Sequence, residues 1–66
     1  MKWRALNAFA IRSHCGHWQI SRTVHGDHDL YSLWRRDPES GGCVYVYTYP
    51  DAGQAKQRAR DEEARR

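Results

Sequence analysis

The chain is short of most features that larger or secreted proteins rely on. It has 66 residues, with two cysteines, two prolines, one methionine and one phenylalanine. Two cysteines, Cys15 and Cys43, allow one disulfide at most, which excludes the multiply bridged scaffold of small secreted domains. A bilayer-spanning helix needs about 20 consecutive apolar residues, and no stretch approaches that. Lys2 and Arg4 resemble the start of a secretory signal, but Ala8-Phe9-Ala10-Ile11 is far too short for its apolar core. The expected setting is cytoplasmic, with both thiols reduced and no membrane contact. A chain of this length makes one domain and buries only about 60% of its unfolded surface, which leaves no room for an enclosed, lidded active site.

Aliphatic residues are equally scarce: Leu6, Ile11, Ile20, Val24, Leu30, Leu33, Val44 and Val46. Eight aromatic residues balance these eight. Each aromatic brings about 150–250 Å² of buriable surface, so rings must supply much of the core. The formal charge of +3 is unevenly spread. Residues 1–36 hold six basic side chains against Asp27 and Asp29, residues 37–55 only acidic ones, and the tail is mixed. A modest basic excess favours a phosphate-bearing or acidic partner without making a polybasic arm.

Residues 17–24 alternate with period two. Trp18, Ile20 and Val24 share one face and His17, Gln19, Ser21 and Thr23 the other, as in a half-buried strand, with Arg22 the one cation on the apolar side. His25-Gly26-Asp27-His28 reads as a turn, and residues 29–36 return as the next strand. Residues 37–42 form a loop rich in turn residues. Residues 43–49 are β-branched or aromatic after Cys43, which makes them the strongest strand signal. Residues 8–13 are a shorter strand, whereas residues 1–7 read either as a frayed lead-in or as a further strand. Pro50 ends the sheet.

Asp51 and Gln54 have the spacing of a capping box for a helix over residues 52–64. Its apolar stripe is Ala52, Ala55 and Ala59, and Asp61–Arg65 and Glu62–Arg66 are spaced for ion pairs. The expected fold is α+β, a three- or four-stranded antiparallel meander with one C-terminal helix across one face. Large rings against an alanine stripe pack well, so Tyr45, Tyr47 and Tyr49 are expected beneath the helix. The opposite sheet face is then uncovered.

Three constellations invite a chemical reading. His14, His17, His25 and His28, with Cys15 and Cys43, are zinc-ligand types, but no Cys-x-x-Cys accompanies them and the two histidine pairs fall at opposite ends of a meander. Neither a metal nor another cofactor is expected. A nucleophilic cysteine needs a positioned base and an oxyanion site, and sequence adjacency of Cys15 to His14 supplies neither, so no enzymatic activity is expected. The third constellation interleaves aromatic and basic residues: Trp3 and Arg4, Arg12, Trp18 and Arg22, then Trp34, Arg35 and Arg36. Trp and Arg dominate protein-interface hot spots, and the same pair stacks on bases and contacts phosphates. With Trp18 assigned to the core, the expected partner-binding residues are Trp3, Arg4, Arg12, Arg22, Trp34, Arg35 and Arg36. Surplus rings on so small a sheet imply a partner or a homodimer.

Residues 47–55, Tyr-Thr-Tyr-Pro-Asp-Ala-Gly-Gln-Ala, resemble the strand-to-helix junction of the plant ethylene-response-factor DNA-binding domain. The three-strand-and-helix layout is similar to the arm-binding domain of tyrosine recombinases. These likenesses imply Tyr49 packed under the helix, Asp51 as N-cap and Ala55 at the close contact. They also imply duplex-DNA binding by the uncovered face, with Arg12, Arg22, Trp34, Arg35 and Arg36 as its side chains. The wording Trp18-Gln19-Ile20, Gly26 and Tyr31-Ser32-Leu33-Trp34 resembles small phage and prophage accessory proteins, including anti-CRISPR inhibitors. That likeness implies a non-enzymatic protein that occludes a surface of a host protein or nucleoprotein complex.

Overall fold

The regular alternation from Trp18 onward forms the middle strand of a five-stranded sheet in the computed structural model, which describes every residue except Pro38 and Arg66. The strands are β1 (Trp3–Asn7), β2 (Ala10–Ser13), β3 (Trp18–His25), β4 (His28–Arg36) and β5 (Cys43–Tyr49), followed by helix α1 (Ala52–Ala64). Sheet order follows chain order and every neighbouring pair is antiparallel, so the α+β meander is as expected but has five strands rather than three or four. The added strand is β1. Ala8 and Phe9 form the β1–β2 turn rather than the start of a strand, and the Asn7 side chain accepts from the Phe9 amide at 2.7 Å. Between β3 and β4 a two-residue turn places Gly26 at φ 61°, the left-handed conformation that a tight hairpin requires at its first central position and glycine adopts freely.

The core lies between one sheet face and α1. Trp18, Ile20 and Leu33 are buried from the sheet, and Ala55 and Ala59 from the helix. Ile11, Ile20 and Leu33 are register partners across β2, β3 and β4, so their side chains stand in one row beneath the helix. Trp3, Tyr31, Val46 and Tyr49 pack around this row as half-buried walls. Ser13 is the buried polar residue, and its hydroxyl accepts from the Trp18 amide at 3.1 Å. The same hydroxyl donates to the Trp18 carbonyl at 3.4 Å, so the buried group has partners for both its donor and its acceptor.

The tyrosines of β5 do not share the helix side. Leu33 pairs with Tyr47 but Trp34 pairs with Tyr45, so Val46 is an extra residue in a β-bulge. A bulge breaks the period-two alternation of the strand that carries it. Val44 and Val46 therefore line the helix-side surface with Trp18, Arg58 and Glu62, while Tyr45 turns to the open side against Trp34. Tyr49 packs on the core as expected. Tyr47 leans edge-on against it at 5.0 Å and stays exposed.

The helix start also departs from the capping-box expectation. Asp51 is the N-cap, with extended backbone at φ −142° and ψ 134°, but its side chain makes no capping hydrogen bond. Its carboxylate lies instead beside Gly53, in space that a β-carbon there would share, with Asp51 Oδ2 at 3.0 Å from that point. No capping bond holds this carboxylate in that position. Gly53→Ala is accordingly expected to raise stability by up to about 1 kcal/mol, through the lower backbone entropy of alanine in the unfolded chain. An unchanged or lower urea midpoint would show that Asp51 cannot give way.

Along the exposed side of α1, Glu62 pairs with Arg58 at 2.9 Å and Arg65 at 3.6 Å, and Asp61 accepts from Gln57 rather than pairing with Arg65. The expected Glu62–Arg66 pair lies outside the described residues. Glu62, with Tyr49 alongside, holds the Arg58 guanidinium above its ordinary pKa. In the β4–β5 loop the Asp37 carboxylate accepts from the Glu39 amide and the Ser40 hydroxyl, both at 3.0 Å, and these bonds hold its pKa below the ordinary value.

Candidate functional site

Helix α1 packs against β3, β4 and β5 from one side. The other face is built by the alternate residues of each strand, and register places Arg4 opposite Arg12, Arg12 opposite Gln19, Gln19 opposite Trp34, and Trp34 opposite Tyr45. One row of side chains thus crosses all five strands. At about 4.8 Å per strand it spans roughly 19 Å.

The row is held in place from its own face. Arg12 Nη2 donates to Gln19 Oε1 at 3.1 Å. The Trp34 indole donates to the Ser21 hydroxyl at 3.0 Å and meets the Tyr45 ring edge-on, with centroids 5.5 Å apart. The Tyr45 hydroxyl is 2.7 Å from that of Thr48, which is 3.1 Å from that of Ser32. Arg36, on the same side of β4, donates from Nη1 to the Gly16 carbonyl at 3.4 Å.

Charge is sorted between the two faces. Strands β1, β2, β3 and β5 contain no carboxylate, and on β4 Asp29 alternates with Tyr31 and Leu33 on the helix side. The other acidic residues stand in turns, at the helix cap or on α1. The open face therefore presents Arg4, Arg12 and Arg36 without an acidic neighbour from the strands. Arg4 and Arg12 are direct cross-strand partners, a like-charge juxtaposition that is unfavourable in the free protein. The buried Nε of Arg12 has no hydrogen-bond partner.

Of the seven residues expected to bind a partner, the structure brings Arg4, Arg12, Trp34 and Arg36 together on this face. It places Arg22, Arg35 and Trp3 on the other. Arg22 lies over the Phe9 ring with its guanidinium carbon 5.4 Å from the centroid. It borders a groove of about 260 Å³ shared with Ile11, Tyr31, Ala52 and Lys56. Arg35 stands beside Val44 and Trp18 near Arg58 and Glu62, and Trp3 packs on the core. Period two already implied this sorting, because Arg22 alternates with Trp18 and Ile20, and Arg35 with Leu33. Gln19 and Ser21 share the side opposite Trp18 and Ile20 by the same parity, whereas Tyr45 joins the face only once the bulge is known.

The histidine pairs separate as expected. His14 and His17 flank the β2–β3 turn, and His25 and His28 close the β3–β4 turn at the other end of β3. The β2–β3 turn also meets the end of α1. Ligand-type atoms of Cys15, His17 and Glu63 lie within 4.8 Å of one another, a grouping that no local spacing announces. Both cysteines are free and exposed.

No known protein family, curated protein or solved structure matches the chain. Among the described residues no helix is long and apolar enough to cross a membrane. What the open face does must follow from its own chemistry.

Proposed function

We propose that this chain is a non-enzymatic binding protein whose uncovered sheet face engages nucleic acid, either as free duplex or within a nucleoprotein complex. The observation that carries this reading is the Arg4–Arg12 pair. Two arginines paired across adjacent strands, with no strand carboxylate on the face to neutralise them, lose their mutual repulsion when a phosphate sits between them. Arg36 and the Trp34–Tyr45 pair continue the surface. Arginines then position the protein on the backbone while Gln19, Trp34 and Tyr45 reach the groove. Occlusion of a host nucleoprotein complex, the mode of small phage inhibitors such as anti-CRISPR proteins, would use this same surface. The two free thiols suit a cytoplasmic setting.

Salt dependence tests the proposal. Three phosphate contacts predict that the logarithm of the binding constant falls with that of salt concentration with a slope of about −2.7. Arg12→Ala is expected to weaken binding to random-sequence duplex and reduce the slope by about 1. Trp34→Ala should weaken binding at every salt concentration and leave the slope unchanged. Fluorescence anisotropy on a labelled duplex reads all three. Absence of binding at low salt by a folded protein would overturn direct duplex recognition. A second reading, an apolar protein surface as partner, draws on the Trp34–Tyr45 pair, of which Tyr45 is exposed. It predicts binding that survives high salt but is lost in Trp34→Ala.

A further inference from the structure

We infer that Cys15, His17 and Glu63 form a zinc-class divalent metal site that ties the β2–β3 turn to the C-terminal end of α1. The donors are a thiol, an imidazole nitrogen and a carboxylate oxygen, the mixed soft and borderline set that Zn²⁺ takes in preference to Mg²⁺ or Ca²⁺. They come from two parts of the chain that only the fold brings together, and all lie within 4.8 Å of one another. His17 Nδ1 stands 3.4 Å from Glu63 Oε1. This nitrogen is buried and makes no hydrogen bond.

The separation matches the edge of a tetrahedral site. With metal–nitrogen and metal–oxygen bonds of about 2.05 Å, tetrahedral ligands lie about 3.4 Å apart, and a thiolate at about 2.3 Å sits about 3.6 Å from either. Closing the set needs a movement of Cys15 of about 1 Å, which an exposed turn side chain makes readily. The surrounding bonds suit a metal ligand. The Trp18 indole donates to Glu63 Oε1 at 2.7 Å, and the Ser13 hydroxyl lies 3.2 Å from the Cys15 sulfur. Such outer contacts orient first-sphere ligands and strengthen binding. Three protein ligands leave a fourth position for water.

The site also meets a structural need. The helix contributes alanines to the core, and a metal joining Glu63 to the turn would fasten its far end. Metal binding would stabilise the folded chain, because the ligand set does not exist in the unfolded one.

Titration of the reduced, metal-free protein with Zn²⁺ is expected to show one equivalent bound and a rise in thermal midpoint. Co²⁺ in its place should give thiolate charge-transfer absorption and the visible bands of tetrahedral cobalt. Cys15→Ser is expected to abolish the charge-transfer band. Glu63→Gln keeps an acceptor for the Trp18 indole but should weaken Zn²⁺ binding at least tenfold, as should His17→Ala. Cys43→Ser and His25→Ala should leave affinity unchanged. Failure of Zn²⁺ to bind at one equivalent would overturn the site. Undiminished affinity in Glu63→Gln would overturn the tie to the helix, since the turn residues alone would then be the ligands. Circular dichroism on each metal-free variant separates loss of the site from loss of the fold.

Discussion

Leu33→Ala is expected to leave the chain largely unfolded or close to it. Leu33 is 0% exposed, stands between Ile20 and Tyr47 in the sheet register, and belongs to the cluster that includes Ala55 and Ala59. Leucine-to-alanine changes at such positions cost about 2–5 kcal/mol, the larger values where surrounding groups cannot collapse into the space. Collapse is restricted here. The helix already approaches through alanines, and the neighbouring row is fixed by strand pairing. A domain of this length has about 3–10 kcal/mol of total stability, so one substitution removes a large share of it. Urea unfolding followed by circular dichroism reads the effect. Val24→Ala and Val44→Ala, at positions more than half exposed, should change stability by no more than about 0.5 kcal/mol. Equal losses at all three positions would mean that the core is not where the structure places it.

The position of this core was legible in the sequence, and the reason is instructive. Alternation places Trp18 and Ile20 on a buried face, but Val24, of the same parity, is more than half exposed, and Leu33 joins the core as the register partner of Ile20. The alanine stripe of α1 likewise gave away its buried side. Strand β1 was not legible, because Trp3-Arg4-Ala5-Leu6-Asn7 carries no clean alternation. It becomes a strand by pairing with β2, Trp3 against Ser13 and Arg4 against Arg12, a non-local condition that local propensity does not encode.

The bulge at Val46 was hidden for a similar reason. No glycine or proline marks it, and every residue from Val44 to Tyr49 favours strand, so the segment reads as unbroken alternation. One inserted residue then sends Tyr45 and Tyr49 to opposite faces. The open face is affected in the same way. Parity separates Arg35 from Trp34 and Arg36 on β4 and puts Arg22 with Trp18 and Ile20 on β3, but Arg12, on β2, is placed only by its pairing with Gln19. Tyr45 could not be placed before the bulge was known. The Cys15–His17–Glu63 grouping was further out of reach, because it depends on where the last turn of α1 ends relative to a turn more than forty residues earlier.

Trp18→Ala should be the most damaging substitution in the chain, and Trp18→Phe distinguishes the two parts of its contribution. The indole is 1% exposed and joins the core cluster. Its Nε1–H donates to Glu63 Oε1 at 2.7 Å, across the gap between sheet and helix end. Truncating a buried tryptophan to alanine costs about 3–5 kcal/mol from lost burial and the cavity left behind. The hydrogen bond adds to this, since bonds to charged groups contribute about 1.5–3 kcal/mol net. Glu63 is partly exposed, so water recovers part of that contribution when the donor is removed, and the lower part of the range applies.

Trp18→Phe keeps a ring in the core but removes the donor, so its midpoint should fall between those of the wild type and Trp18→Ala. A double-mutant cycle with Glu63→Ala isolates the cross-gap bond: if the bond holds the helix end, removing Trp18's donor costs less once Glu63 is already gone. Strictly additive losses would show that the indole acts by packing alone. The helix would then be held to the sheet by Ala55 and Ala59 and their surrounding rings.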